Sequence, residues 1–442
     1  MTFYERIIKF LQRNFPDPFQ FALGLTFFAF LLTLAFTEKS ADEIIFIWLG
    51  KWADEKVSGN GIFSLLEFSM QMCLILFSGY MIASSRVLKN LIKKLSILPK
   101  STPQACVFLS TFSAVLSLIN WGLCISASSI LAREIIRSNP KVSKGAVASA
   151  AYCGLMIWHG GLSGSAPLDV ATKGISLAET LFSPMNLFIT LSLVVFTPIF
   201  FYFIGKISDR VEFGSELYVE RDPLGEEYRE TKSSLFDRFF MLLFIFVLIF
   251  SVFKGFSQKG VLFLNLYSVS FIFIMLALIL HGSIKTFVAY VPEAIKPCGG
   301  IVVQFPFYAG VMSIITESGL GEKISVFISE SVKNFPVFQK EIFGIITFVS
   351  ASFLNIFIPS GGGQWKVQGP IMLQAGLELG VPESKTAMLV AYGDELTNMI
   401  QPFWMIPLIG ITGIKAGYVV SYSFVYMLLS LPIYIAGIIF GL

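Results

Sequence analysis

The apolar run over residues 341–358 ought to continue as a buried helix, but it meets Pro359, Ser360 and three glycines, then Gln364, Lys366 and Gln368. The full stretch, residues 355–370, reads NIFIPSGGGQWKVQGP among segments that are otherwise strongly apolar. In hydrocarbon every unpaired peptide group is costly, so helix-breaking backbone is tolerated at membrane depth only where it lines a cavity or is buried in protein. That constraint makes this tip the first candidate for a substrate site.

The apolar setting extends over the chain. Of 442 residues 55% are hydrophobic and 14% charged, against ~25% charged in an average soluble protein. Several windows exceed the ~18 to 20 apolar residues that cross ~30 Å as a helix. A soluble multidomain protein is excluded, and an all-α polytopic membrane protein is expected. The net charge of +3 carries no argument for nucleic acid. Arg6, Lys9 and Arg13 precede the first apolar run without a small-residue cleavage site, so no removed signal peptide is expected. Cys73, Cys106, Cys124, Cys153 and Cys298 lack metal-ligand spacing and read as buried, inert thiols.

Charge sets the orientation. The first two spans, 19–36 and 62–82, flank a loop with Glu38, Asp42, Glu43, Asp54 and Glu55, whereas Arg86, Lys89, Lys93, Lys94 and Lys100 follow without an acid. Cytoplasmic loops carry the Lys and Arg excess, so the N-terminus and residues 86–100 are expected inside. The string RVLKNLIKKLSIL reads as an interfacial amphipathic helix. Residues 103–132 then lead to Arg133, Arg137, Lys141 and Lys144, which puts both ends inside. Two full crossings need more residues than that, so a re-entrant hairpin is expected over about 103–136, its polar tip at Asn120–Ser129. The outward span, about 145–168, ends in WHGGLSGSAPL. Since each interior Gly costs ~1 kcal/mol and Pro ~3, a helix broken near Gly160–Ser165 is expected. A span at 181–205 completes a first half, 1–205, and residues 206–238 read as a charged cytoplasmic linker.

The second half, 239–442, repeats the order in the opposite sense. Spans at 239–256, 261–281 and 300–317 precede an interfacial segment at 320–335, a re-entrant hairpin over about 341–380 entered from outside, a broken helix over about 385–413 and a last crossing at 417–442. About nine full spans result. Ser117-x-x-Asn120 matches Ser352-x-x-Asn355, and Ala151-Tyr152 precedes Pro167-Leu168 by the spacing at which Ala391-Tyr392 precedes Pro407-Leu408. This is an inverted-topology repeat, the arrangement of secondary transporters whose site lies at the midplane where broken helices meet. The expected walls are Asn120–Ser129, His159–Ser165, Asn355–Gln368 and Asp394–Gln401.

WHGGLSGSAPL, PSGGGQWKVQGP and AYGDELTNMIQPFW together resemble the short-chain fatty acid transporter family of the AtoE type, over nearly the whole chain. The resemblance implies uptake of short-chain fatty acids such as acetoacetate or butyrate across a bacterial inner membrane, and membership of an ion-transporter superfamily that includes dicarboxylate symporters with paired re-entrant hairpins. It also implies a small carboxylate as partner, and a homodimer is a possible assembly.

Such a substrate needs donors for its head. Helix N-termini exposed by breaks supply N–H groups and a positive dipole end. Gly161, Gly361, Gly362 and Gly363 allow close backbone approach, and Ser128, Ser129, Ser163, Ser165 and Ser360 offer hydroxyls, with Gln364 beside them. A hydroxyl bonded to its own helix is the plain alternative for each serine. Trp121, Trp365 and Trp404 either shape a tail pocket or pack. Lys366 near the bilayer centre calls for a partner: the substrate carboxylate, Asp394 or Glu395, unless it snorkels from a shallower tip. Asp394 and Glu395 point ~100° apart on a helix, so at most one need face the cavity. An acid there carries a proton or ligates a cation. Asn120, Asn355, Thr397 and Asn398 would suit Na⁺, the one inorganic cofactor considered, and His159 reads as a proton relay or a hydrogen-bonded structural residue. H⁺ and Na⁺ both stand as coupling ions.

Two other readings stand beside this one. Gly161-Leu162-Ser163-Gly164 with His281 resembles the serine motif of rhomboid intramembrane proteases, which leaves the repeat unexplained. A dicarboxylate or other organic-anion symporter of the same superfamily is the runner-up within transport. No phosphate-binding GxxxxGK[ST] string occurs, which argues against ATP-driven transport by this chain alone.

Overall fold

The computed structural model describes residues 3–211, 234–263, 266–332 and 338–442, and every regular element among them is helical. The first half consists of α1 (Phe3–Asn14), α2 (Pro18–Phe36), α3 (Ala41–Leu49), α4 (Leu66–Ser84), α5 (Arg86–Ser96), α6 (Thr102–Ile119), α7 (Trp121–Ser138), α8 (Lys144–Cys153), α9 (Ser165–Thr172) and α10 (Pro184–Val211). A 3₁₀ segment, Gly154–Gly160, lies between α8 and α9. The second half consists of α11 (Leu235–Lys259), α12 (Leu266–His281), α13 (Ile284–Ile295), α14 (Gly299–Glu317), α15 (Leu320–Val332), α16 (Gln339–Asn355), α17 (Gly361–Glu378), α18 (Glu383–Asn398), α19 (Pro402–Thr412) and α20 (Ala416–Gly441).

Seven helical stretches among the described residues are long and apolar enough to cross a membrane: Pro18–Phe36, Gly61–Ile82, Thr102–Ile119, Pro184–Ser208, Leu235–Lys259, Gly299–Glu317 and Ala416–Gly441. Thr102–Ile119 is a hairpin arm. Two shorter apolar helices, Tyr267–His281 and Pro402–Thr412, accompany the seven. The fold is all-α and polytopic, with two helical hairpins, α6–α7 and α16–α17, each followed by a broken helix.

The hairpin tips and the linker differ from the sequence reading in detail. Asn120 alone makes the first turn, and the Trp121–Ser129 part of the expected tip is helical. Its backbone is extended, and its Oδ1 accepts from the N–H groups of Gly122 (2.9 Å) and Leu123 (3.1 Å), so one residue ends α6 and caps α7. At the second tip the irregular backbone is Ile356–Ser360, and Gly361, Gly362 and Gly363 form the first turn of α17. Ser360 accepts from the Gly363 N–H at 3.3 Å, an N-cap that recruits the glycines into helix. The expected linker also loses residues at both ends. α10 runs on to Val211, and a capping box between Ser234 and Asp237 starts α11 at Leu235. The rest of that linker, residues 212–233, lies outside the described residues.

Each broken helix is seated against the first arm of its hairpin at a glycine. A methyl group on Gly154 would stand 2.5 Å from the Ala114 nitrogen of α6, and one on Gly393 would stand 2.3 Å from the Phe348 carbonyl of α16. The halves then meet where α18 packs on the 3₁₀ segment and α9, with α20 against α8 and α10. Overpacking of a tight contact costs ~1 to 3 kcal/mol. Gly393→Ala is therefore expected to lower the thermal unfolding midpoint of the detergent-solubilised protein, while Gly362→Ala, which has no neighbour within 4 Å, leaves it in place. Equal midpoints for the two variants would contradict this packing.

Candidate functional site

The second tip is tied to α18 through one side chain. Asn355 donates from Nδ2 to the Asp394 carbonyl (2.7 Å), Asn398 Oδ1 (2.8 Å) and Thr397 Oγ1 (3.1 Å). Thr397 Oγ1 in turn donates to the Ser352 carbonyl at 2.9 Å, and Gln401 Nε2 to the Asn355 carbonyl. Tyr152, from the first half, donates its hydroxyl to the Asn398 carbonyl. The structure thus brings four of the expected coupling residues, Asn355, Asp394, Thr397 and Asn398, into one buried cluster. Asn120 stays at the first tip as a helix cap, with its Nδ2 unpartnered among the described residues.

His159 joins this cluster from the broken helix of the first half. Its Nε2 lies 3.1 Å from Asp394 Oδ1, and its backbone N–H donates to Glu395 Oε2 at 3.0 Å. Tyr434 of α20 donates its hydroxyl to Glu395 Oε1 at 2.8 Å, and Asn398 Nδ2 donates to Asp394 Oδ1 at 3.4 Å. His159, Asp394 and Glu395 are each 1% exposed. Both acids are buried against the same residue. One residue offers a ring in one direction and a backbone N–H in another, so two carboxylates ~100° apart on α18 both reach it. His159 Nδ1 and Asp394 Oδ2 keep no partner among the described residues.

The N-terminus of α17 abuts the same histidine. A methyl group on Gly361 would stand 2.7 Å from His159 Nε2 and 3.2 Å from Ser165 Oγ. The first-turn N–H groups of α17, with the positive end of its dipole, therefore open beside His159 and Ser165. The remaining candidates divide. Ser163 accepts from the Trp121 N–H at 3.0 Å, and Leu162 donates to the Leu118 carbonyl at 2.8 Å, which together hold the broken helix to the first tip. Gly161 lies so close to the Leu118 carbonyl that a methyl group would come within 2.5 Å. Ser129 bonds its own helix at the Ile125 carbonyl (2.5 Å), and Ser128 is buried one position before it on α7. Gln364 braces the hairpin arms, donating to the Ala351 carbonyl (2.8 Å) and to Gln368 Oε1 (3.0 Å).

Lys366 lies apart from the buried cluster. It is exposed on α17 and lines an open cavity of about 800 Å³ with Ser165, Leu168, Asp169, Lys259, Gly362 and Trp365. Asp394 and Glu395, two of the partners considered for it, are engaged by His159 and Tyr434 instead. Trp121 and Trp404 pack edge to face at 5.2 Å beside Trp158, whereas Trp365 faces the cavity and donates from Nε1 to Asp169 Oδ2 at 2.8 Å. Asp169 also pairs with Lys173 at 2.7 Å. Sequence reasoning passed over Asp169, whose one signal is its place one helical turn beyond Ser165. It also passed over Tyr434, which no local pattern marks. The protease dyad is not formed: Ser163 accepts from Trp121, while His281 Nε2 lies 2.9 Å from the Met81 carbonyl.

The five native cysteines are buried, so an introduced thiol can be read without background. Lys366→Cys is expected to react with a water-soluble maleimide in detergent solution and Gln364→Cys, at a fully buried position, to resist it. Comparable labelling of the two would contradict the placement of Lys366.

Comparison with known proteins adds the family. The family model for the short chain fatty acid transporter matches residues 2–441. A Haemophilus influenzae protein named "Putative short-chain fatty acid transporter" is 31% identical over 98% of this chain and 97% of its own length. An Escherichia coli protein of the same name is 32% identical over 97% of each chain. Among solved structures, the Alcanivorax borkumensis YdaH transporter aligns with 96% of this chain and 98% of its own at 12% identity, with a TM-score of 0.46. A match over the whole length, in a multi-pass helical chain with this central cluster, means that the chain belongs to the short-chain fatty acid transporter family.

Proposed function

We propose that this protein is a secondary active transporter that takes up short-chain fatty acids of the acetoacetate or butyrate kind, coupled to H⁺ or Na⁺, by alternating access. The observation that carries the reading is the buried junction at which His159 of one half is held by Asp394 and Glu395 of the other, beside the N-terminus of α17. In this reading the two hairpins enter the bacterial inner membrane from opposite faces, with the N-terminus in the cytoplasm. Their tips then meet broken helices at the midplane, the arrangement of inverted-repeat transporters.

The carboxylate head is held by the N–H groups of Gly361 and Gly362 at the start of α17 and by Ser165, and the tail lies against Leu168 and Trp365. Lys366 and Lys259 draw the anion into the cavity before it reaches this point. Alternating access then means that the same loaded site opens to one face in one arrangement of the halves and to the other face in the second, with the population of each set by the difference in affinity between them. A dicarboxylate is the second reading, because two lysines line the one cavity.

Counterflow in proteoliposomes with labelled C2 to C6 monoacids and with succinate separates the two. Exchange of monoacids without succinate is expected. Exchange of succinate alone would move the assignment to a dicarboxylate, and exchange of neither would contradict transport of these acids. Lys366→Ala is expected to raise KM about tenfold, equivalent to ~1.4 kcal/mol, with little change in maximal rate. An unchanged KM would remove Lys366 from the substrate's path.

A further inference from the structure

The wall of the cavity beside α17 includes a bond between the two halves, from the Trp365 indole to Asp169. We propose that this bond sets the chain length of the acid that the cavity accepts: Trp365 is the wall that the tail meets, and Asp169 is the positioning residue that holds it. The inference rests on the transport reading above and adds to it the residues that select among monoacids.

Two helices begin side by side at this cavity. Ser165 is the first residue of α9 and Gly361 the first of α17, and a methyl group on Gly361 would stand 3.2 Å from Ser165 Oγ. The donors for the carboxylate head therefore lie at the two starts. Four residues on, each helix returns to the same face, with Asp169 on α9 and Trp365 on α17. There the indole Nε1 donates to Asp169 Oδ2 at 2.8 Å, a crossbar between the helices. One helical turn, ~6 Å along each axis, separates the starts from the crossbar. That distance suits a chain of about four carbons and obstructs a longer one.

The indole is fixed on two sides. On its own helix it lies over Gly369, where a methyl group would stand 2.8 Å from ring atoms Cδ2 and Cε3, so the missing side chain at that position is what lets the ring lie down on α17. From α9, Asp169 takes the indole N–H, and because Trp is a donor only, the direction of the bond is unambiguous. Lys173 pairs with the same carboxylate oxygen at 2.7 Å, which balances the charge of Asp169 beside an anionic substrate. The ring is thus buried and held, yet it still lines the cavity. Where a tail meets no wall, each further buried methylene strengthens binding by roughly fourfold. Where the next methylene must displace a packed ring, the pocket instead discriminates against it by roughly 10- to 200-fold.

Counterflow of labelled butyrate in proteoliposomes, with flux into protein-free vesicles subtracted, gives the apparent affinity of unlabelled C2 to C8 monoacids by competition. The wild-type chain is expected to bind progressively better up to butyrate and at least about tenfold more weakly at hexanoate. Asp169→Ala and Trp365→Phe remove the bond from opposite ends, and either suffices as the test if the other fails to fold. In both, affinity is expected to go on rising to hexanoate, whereas Asp169→Asn, which keeps an acceptor oxygen for the indole, retains the break at butyrate. Gly369→Ala is expected to push the ring into the cavity and move the break to a shorter acid. A wild-type affinity that rises through hexanoate would overturn the chain-length assignment, as would a break at butyrate that survives in Asp169→Ala and Trp365→Phe, with or without a uniform loss at all chain lengths. Absence of butyrate counterflow in the wild type would instead overturn the transport reading.

Discussion

The structure depends on the hold that two adjacent carboxylates of α18 have on one residue of the opposite half. Asp394 takes the His159 ring and Glu395 takes its backbone N–H, while Tyr434 and Asn398 fix the carboxylates from behind. A carboxylate at 1% exposure is tolerable only where it is bonded on several sides, because burial of an uncompensated charge is costly and removal of one partner leaves the other exposed to that cost. The 3₁₀ geometry of Gly154–Gly160 is part of the same requirement. It carries His159 at the end of the break, where the backbone N–H reaches Glu395 Oε2 at 3.0 Å.

The two halves repeat in architecture and differ in chemistry. Both have a hairpin whose first arm receives the broken helix at a glycine, Gly154 on one side and Gly393 on the other. Only the second hairpin turns through an irregular segment and restarts on glycines, and only the second broken helix carries two adjacent acids. The first half contributes the histidine, the Ser165 hydroxyl and Asp169. The cluster is thus composite, with the α17 helix end on one half and the His159–Asp394 contact shared across the junction.

Much of this was legible in the sequence. Length and polarity of the apolar runs disclosed the spans, and the breaks at WHGGLSGSAPL and NMIQP disclosed the interrupted helices, because Gly and Pro act locally on the backbone. Ser117-x-x-Asn120 and Ser352-x-x-Asn355 marked both hairpin turns. The finer geometry was not legible where a cap overrode propensity: Asn120 compresses a turn into one residue, and Ser360 draws three glycines into helix. Nor was the direction of Lys366 legible, since facing a cavity or a core is decided by the neighbour against which α17 packs. Tyr434 is a contact across 39 residues from Glu395, and no local pattern could announce it.

The central claim is that two halves of opposite orientation meet at this cluster, and sidedness tests it most directly. Lys141, after the first hairpin, and Lys340, at the start of the second, are both exposed. Single cysteines at these positions, in intact cells, should differ: a membrane-impermeant maleimide added outside is expected to label Lys340→Cys and to spare Lys141→Cys until the membrane is opened. Labelling of both from the same face would contradict the account.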